Sequence, residues 1–409
     1  MSKAPWFLAA LIIAVSPSVQ AAWTETVLAQ FSAGSDGSYD GLVFDGKGNL
    51  YGTNVGSGDN KSYGSVFKLT PPAAGKAAWT KTNIYSFKGA EGARPYARLI
   101  LDAAGNLYGT TRDGGPSGDG MVFRLAPPAA GKPGWTLTVL HSFTGADGRF
   151  PISALVFGQD GDLYGTTGYG GAKNLGTAFK LKKPAVTTGP WVHTLLHTFS
   201  GTDGAVIAAG LVFDSAGNLY GTAVGGGLHN VGVVFKLSPP AVGKTVWGEI
   251  ALHHFAQCTC DGANPVAALA VDGAGNLYGT TDSGGANGDG AIFSLAPPAK
   301  GKTGWTEGLL HSFAFAQGIS PDGSLTLDAA GNLYGTASEG GSAKNGTVFK
   351  LNHPAAGKTA WSESTLHVFG AADGAVSYSN VIFDKAGSLY GTTSAGEPAD
   401  AGMVFKLTR

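Results

Sequence analysis

Charge is scarce in this chain: Asp, Glu, Lys and Arg make up 13 % of its 409 residues, against about 25 % in ordinary soluble domains. The 27 basic residues are balanced by 28 acidic ones, a formal charge of −1. That leaves no basic footprint for nucleic acid or for an anionic membrane surface. Cysteine is scarcer still, at 2 residues, too few for a disulfide framework. No apolar run approaches the roughly 18 residues of a spanning helix, and no window keeps a helical period. What is plentiful is glycine, 66 residues, alongside 43 % hydrophobic residues with 21 Phe, 13 Tyr and 8 Trp. Such a composition describes a packed, turn-rich protein and excludes a disordered one.

The first residues read "MSKAPWFLAALIIAVSPSVQAA". Lys3, a short apolar run from Trp6 to Val15 and small residues at Val19 and Ala21 form the pattern of a secretory signal peptide cleaved near Ala21. An exported protein is expected, periplasmic or extracellular, with residues 1–21 as leader and 22–409 as one domain.

That domain is a sevenfold repeat. "GNLYGT" or a near copy places Tyr51, Tyr108, Tyr164, Tyr220, Tyr278, Tyr334 and Tyr390 at intervals of 57, 56, 56, 58, 56 and 56 residues. Trp23, Trp79, Trp135, Trp191, Trp247, Trp305 and Trp361 keep the same rhythm. Each unit holds four segments of strand composition, which in the second are "RLILD" (98–102), "NLYGTT" (106–111), "GMVFRL" (120–125) and "WTLTVLHSF" (135–143). A four-stranded sheet of this size cannot bury both its faces alone, so the units must stack. Radial stacking predicts an all-β, seven-bladed β-propeller with strands a to d running outward. An open β-solenoid, the alternative, would show shorter repeats and atypical ends. The last unit lacks an outer strand and the first is preceded by one, "WTETVLAQF" (23–31). The N-terminal strand is therefore expected to close the ring beside Met403 to Leu407.

The pattern D-x-x-G-N-L-Y-G-T followed by G-x-V-F-K-L, which all seven units match with departures such as Gly158, resembles the GloVer (Gloeo_Verruco) tandem repeat family of exported bacterial proteins, and more distantly NHL-type propellers. The resemblance implies the architecture and carries no activity that could be assigned residue by residue.

Positions that repeat belong to the scaffold. The Asp before each a–b turn (Asp45, Asp102, Asp214, Asp272, Asp328, Asp384, with Gly158 in the third unit) is expected to cap its turn. His141, His197, His253, His311 and His367 are expected to be packed or turn-bonded, one per blade, too widely spread to share a metal.

Function should sit where units differ, on the b–c and d–a loops of one face. Arg94, Arg98, Arg112 and Arg149 crowd around the second blade. Six residues before the turn Asp the series runs Tyr39, Tyr96, Ile152, Ala208, Val266, Asp322, Tyr378, so the aromatics fall on blades seven, one and two. Four residues before it, only Arg98 and Asn380 carry strong polar groups. These eight residues, Arg94, Arg98, Arg112, Arg149, Tyr39, Tyr96, Tyr378 and Asn380, are the candidate ligand site. An arginine fork and tyrosine faces suit an acidic carbohydrate, another anionic ligand or a protein carboxylate.

The same face could house a polysaccharide lyase, with a Tyr base beside Arg98 and Arg112. A hydrolase there would draw on a pair of carboxylates among Asp36, Asp40, Asp113 and Asp322. In "LHHFAQCTCDG" (252–262), two inserted residues bring both cysteines. His254, Cys258, Cys260 and Asp261 are a weak metal candidate, set against a Cys258–Cys260 disulfide or free loop thiols. No cofactor is expected, since nucleotide-binding and zinc-protease motifs are missing, and a monomer is expected.

Overall fold

The computed structural model describes residues 22–409 apart from 33–36, 58–61, 130, 132, 187–188, 257, 371 and 398–400. The expected leader and Asp36 lie outside the described residues. Seven four-stranded antiparallel sheets form a seven-bladed β-propeller. In the second blade the strands are Ile100–Leu101, Leu107–Thr111, Met121–Ala126 and Thr136–Ser142, innermost first. The innermost strand is only two residues long, shorter than its apolar sequence suggests. Among the described residues no helix is long and apolar enough to cross a membrane.

The ring closes as the repeat register requires. Thr24–Gln30 pairs antiparallel with Met403–Thr408, Thr24 opposite Thr408 and Gln30 opposite Met403. The backbone NH of Phe31 then donates to the Gly402 carbonyl at 2.9 Å.

Blades are joined by aromatic contacts that recur at each junction. The Phe ending each outer strand meets the third-strand Phe of the next blade edge to face, as in Phe87 on Phe123 at 5.3 Å and Phe199 on Phe235 at 4.9 Å. The last blade packs on the first by the same contact, Phe31 on Phe67 at 5.2 Å. The glycine of "LYGT" is needed because the third-strand Phe lies on it. A Cβ on Gly52 would stand 2.6 Å from Phe67 Cζ, inside the closest approach carbon atoms allow. The turn aspartates behave as expected: Asp102 Oδ1 accepts from the NH groups of Ala104 and Asn106, while Oδ2 accepts from Asn106 Nδ2 and the Tyr108 hydroxyl.

Nearer the axis, a threonine of each second strand bonds a carbonyl of the next blade's innermost segment. Thr166 donates to Ala209 O at 2.9 Å, Thr222 to Ala267 O at 3.1 Å and Thr392 to Asp40 O at 3.2 Å. Thr280 breaks the pattern: its hydroxyl is buried without a partner.

Candidate functional site

Each d–a loop zips against the b–c loop of the blade it enters, as in the Ala93–Asp113 and Arg149–Tyr169 bridges. At one non-glycine residue in six of the seven d–a loops the chain is forced into the left-handed region: Arg94, Phe150, Val206, Asn264, Ser320 and Val376 have φ between 51° and 58°. This conformation costs on the order of 1 kcal/mol or more per residue, most for β-branched Val206 and Val376. Backbone hydrogen bonds on both sides hold it. Val206 NH donates to Leu175 O of the preceding blade, and Val206 O accepts from Val224 NH of its own. Two residues further on, the side chain reaches the axis.

There the seven blades enclose a pocket of about 470 Å³. Tyr39, Tyr96, Ile152, Ala208, Val266, Asp322 and Tyr378 line it at the level of the loops, with Arg98, Ala154, Gly210, Ala268 and Ser324 from the next turn of chain. The tyrosines form one wall: Tyr39 stacks on Tyr378 at 5.3 Å and 8°, and Tyr96 meets Tyr39 edge-on at 5.1 Å. Asp40 lies below them, its carboxylate accepting from the backbone NH groups of Gly41 and Arg98 at 2.7 and 2.8 Å.

The adjoining wall is acidic, with Asp282, Asp322 and Glu339 beside Ser320 and Ser338. Ser338 Oγ donates to Asp322 Oδ2 at 2.8 Å. Burial pushes the Asp322 carboxyl up to about 7, and a hydrogen-bonded Asp282 and the Glu339 charge push the same way. Burial, reinforced by those three carboxylates, also raises the Tyr378 hydroxyl.

Of the expected ligand residues, Arg98, Tyr39, Tyr96 and Tyr378 come together here. Three arginines do not line the pocket. Arg94 and Arg112 pair with Asp113, and Arg149 Nε pairs with Asp119 at 2.8 Å. The Arg112 and Arg149 guanidiniums also flank the Phe150 ring, each 4.3 Å from its centre. Asn380 is buried against Gly41.

Cys258 and Cys260 are joined to each other as a disulfide, so neither sulfur is the thiolate that a metal would need. Asp261 instead receives His253 Nε2 at 3.1 Å. His141 and His197 likewise meet Asp147 and Asp203 at 2.9 and 2.8 Å, the turn-bonded role expected of the repeated histidines. His141, Asp147 and His193 approach one another closely, but the two imidazoles stack at 4.3 Å and 11°. Parallel rings cannot both aim in-plane lone pairs at one ion.

Asp282, Ser338 and Glu339 were not anticipated, although their signal is in the repeat. At the end of the second strand the units read Val55, Arg112, Gly168, Val224, Asp282, Ser338 and Ser394, and only Asp282 and Ser338 of these line the pocket.

The family described as the Gloeobacter/Verrucomicrobia repeat matches residues 12–212 and 185–405. No curated protein matches the chain. Among solved structures, the extracellular domain of a protein assigned to a one-component system of B. thetaiotaomicron aligns with TM-score 0.53 and 12 % identity, over 93 % of this chain and 42 % of that one. PorZ, a surface component of the type-IX secretion system of Porphyromonas gingivalis, aligns with TM-score 0.51 and 16 % identity, over 91 % and 47 %. A Bacteroides uniformis protein described as a 6-phosphogluconolactonase aligns with TM-score 0.51 and 13 % identity, over 86 % and 89 %. This chain thus spans under half the length of the first two. At such identities the likeness concerns the fold alone.

Proposed function

The chain belongs to the Gloeobacter/Verrucomicrobia repeat family, and we propose that this member is an exported propeller that binds a carbohydrate in its axial pocket. The observation that carries the reading is the convergence of Tyr39, Tyr96 and Tyr378 on one wall of the pocket, with serines and carboxylates lining the adjoining wall. Tyrosine faces cover the apolar C–H face of a sugar ring, while Ser and carboxylate oxygens receive its hydroxyls. Export is supported by the leader-like residues 1–21 and by the Cys258–Cys260 disulfide, a bond that persists in oxidising compartments.

The anionic side of the expectation has little left to support it. Arg98 is the one cation of the pocket among the described residues, against Asp40, Asp282, Asp322 and Glu339, and the other three arginines are engaged by Asp113 and Asp119. A lyase reading also weakens: burial and nearby carboxylates raise the Tyr378 hydroxyl, the wrong direction for a base. Of the carboxylates expected for a hydrolase, Asp113 pairs with Arg94 and Arg112 and does not line the pocket, while Asp40 and Asp322 do.

A glycan array probed with the mature chain, followed by calorimetry on the hits, tests the reading. Saturable binding that weakens in Tyr39→Ala, with the melting temperature kept, supports it. Binding that is indifferent to Tyr39, or an empty array, removes it.

A further inference from the structure

The acidic wall is the odd sector of an otherwise regular ring. Many partly buried acids have a basic partner, Asp113 and Asp119 arginines, Asp162 and Asp384 lysines, Asp147, Asp203 and Asp261 histidines, whereas isolated ones such as Glu25 and Glu249 do without. Among the described residues no Lys, Arg or His pairs with Asp282, Asp322 or Glu339. Thr280, two residues before Asp282, is also the single threonine of its ring without a partner. Its counterparts bond the next blade's innermost segment, and here that segment carries Asp322. The junction of blades five and six lacks the inter-blade hydrogen bond that recurs at the other junctions, and there it gathers three carboxylates around the pocket.

An uncompensated carboxylate group is costly unless something positive completes it. The neighbouring wall suits the same partner, because tyrosine faces attract ammonium groups. The shape of the pocket adds a further condition. The space of about 470 Å³, with Ser320, Ser324 and Ser338 on its rim, fits a hydroxylated ring better than a thin polyamine.

Resting on the carbohydrate reading, we propose that the preferred occupant is an aminated sugar whose ammonium sits against Asp282, Asp322 and Glu339 while its ring packs against the tyrosine wall. The titratable groups facing Asp322 are Asp282, Glu339 and Tyr378, with Arg98 and Asp40 across the pocket. Burial holds the Asp322 carboxyl up to about 7, and an arriving ammonium favours its ionised form, so binding at pH 6 releases a proton to solvent.

The test is calorimetry of the mature chain with a glucosamine trisaccharide and with its N-acetylated form, at pH 6 in two buffers of different ionisation heat. The expected result is a preference of at least tenfold for the aminated form, with release of about one proton. The ratio should fall toward one in Asp322→Asn and in Asp282→Asn, each checked for an unchanged melting temperature so that misfolding is not mistaken for lost recognition. Equal affinity for the two forms overturns this inference and leaves the carbohydrate reading standing. Binding of spermidine or of Ca²⁺ but of neither trisaccharide overturns both.

Discussion

Tyr39 and Tyr378 stack with their planes 8° apart and their centres 5.3 Å apart, although one leads into the first blade and the other into the last. The contact exists only because the ring closes, which ties the candidate binding wall to the joint between the chain ends. Tyr39→Ala should lower glycan affinity about tenfold, the scale of one well-placed aromatic contact. Adding Tyr378→Ala should cost less than a second tenfold step, because the first change already undoes the stack. Titration of single and double variants against one array hit measures both effects.

Closure itself should be expensive to lose. Phe31 is buried against Phe67 in the same way that interior Phe143 is buried against Phe179. Phe31→Ala should therefore destabilise by about 3–5 kcal/mol, close to Phe143→Ala. Removing residues 22–31 would also bare the edge of Met403–Thr408 and promote aggregation. Denaturant melts and light scattering decide it; a truncated chain that melts like the intact one would refute closure as a stabilising contact.

Stability should peak on the acid side of neutrality. Burial holds Glu25 and Glu249 up to about 7 from an ordinary 4.5, with Asp373 and Asp203 adding to the effect. A carboxyl whose pKa rises on folding lends stability that is complete below its unfolded value and fades as pH climbs toward the folded one. This contribution should thus disappear between about pH 4.5 and 7. Solvent reaching these half-buried groups screens it to on the order of 1 kcal/mol each. Asp147 and Asp203 work in the opposite sense. Burial opposes their ionisation, but hydrogen bonds from Thr144 and His141, and from Ser200 and His197, outweigh it and hold both below 3.8. Their contribution is present above 3.8 and lost at lower pH. A Glu25→Gln, Glu249→Gln chain should show a flatter melting curve against pH from 4.5 to 7.5; an unchanged slope would rule out these carboxyls as its source.

The glycine of the second strand should tolerate nothing larger. In Gly221→Ala the new methyl would stand 2.6 Å from Phe235 Cζ and 3.0 Å from a Leu211 methyl. Overpacking of this kind costs about 1–3 kcal/mol. The adjacent substitution Thr222→Ser keeps the inter-blade hydrogen bond to Ala267 O and should cost less. Thermal melts of the two variants side by side make the comparison.

The blade count, the strand order and the closing strand were all legible in the sequence, because a repeat of constant length fixes which residues occupy equivalent places. The same register places Tyr39, Tyr96 and Tyr378 on adjacent blades. It misled for Arg94, Arg112 and Arg149, which share a loop cluster but not a direction. Arg94 is itself the left-handed residue of its loop, and its side chain meets Asp113 at the rim.

What the sequence determined by itself is the frame: seven equivalent sheets, each with two apolar faces, can bury them only by closing into a ring. What the tertiary structure decided is the character of the pocket. Asp282 ends a second strand in blade five, whereas Asp322 and Glu339 belong to a d–a loop and a second-strand end in blade six. Register along the chain says nothing of how far such residues lie from one another across a blade junction. Only the packing of one blade on the next brings the three carboxylates to one wall, where burial and mutual repulsion make a proton or a cation their natural partner.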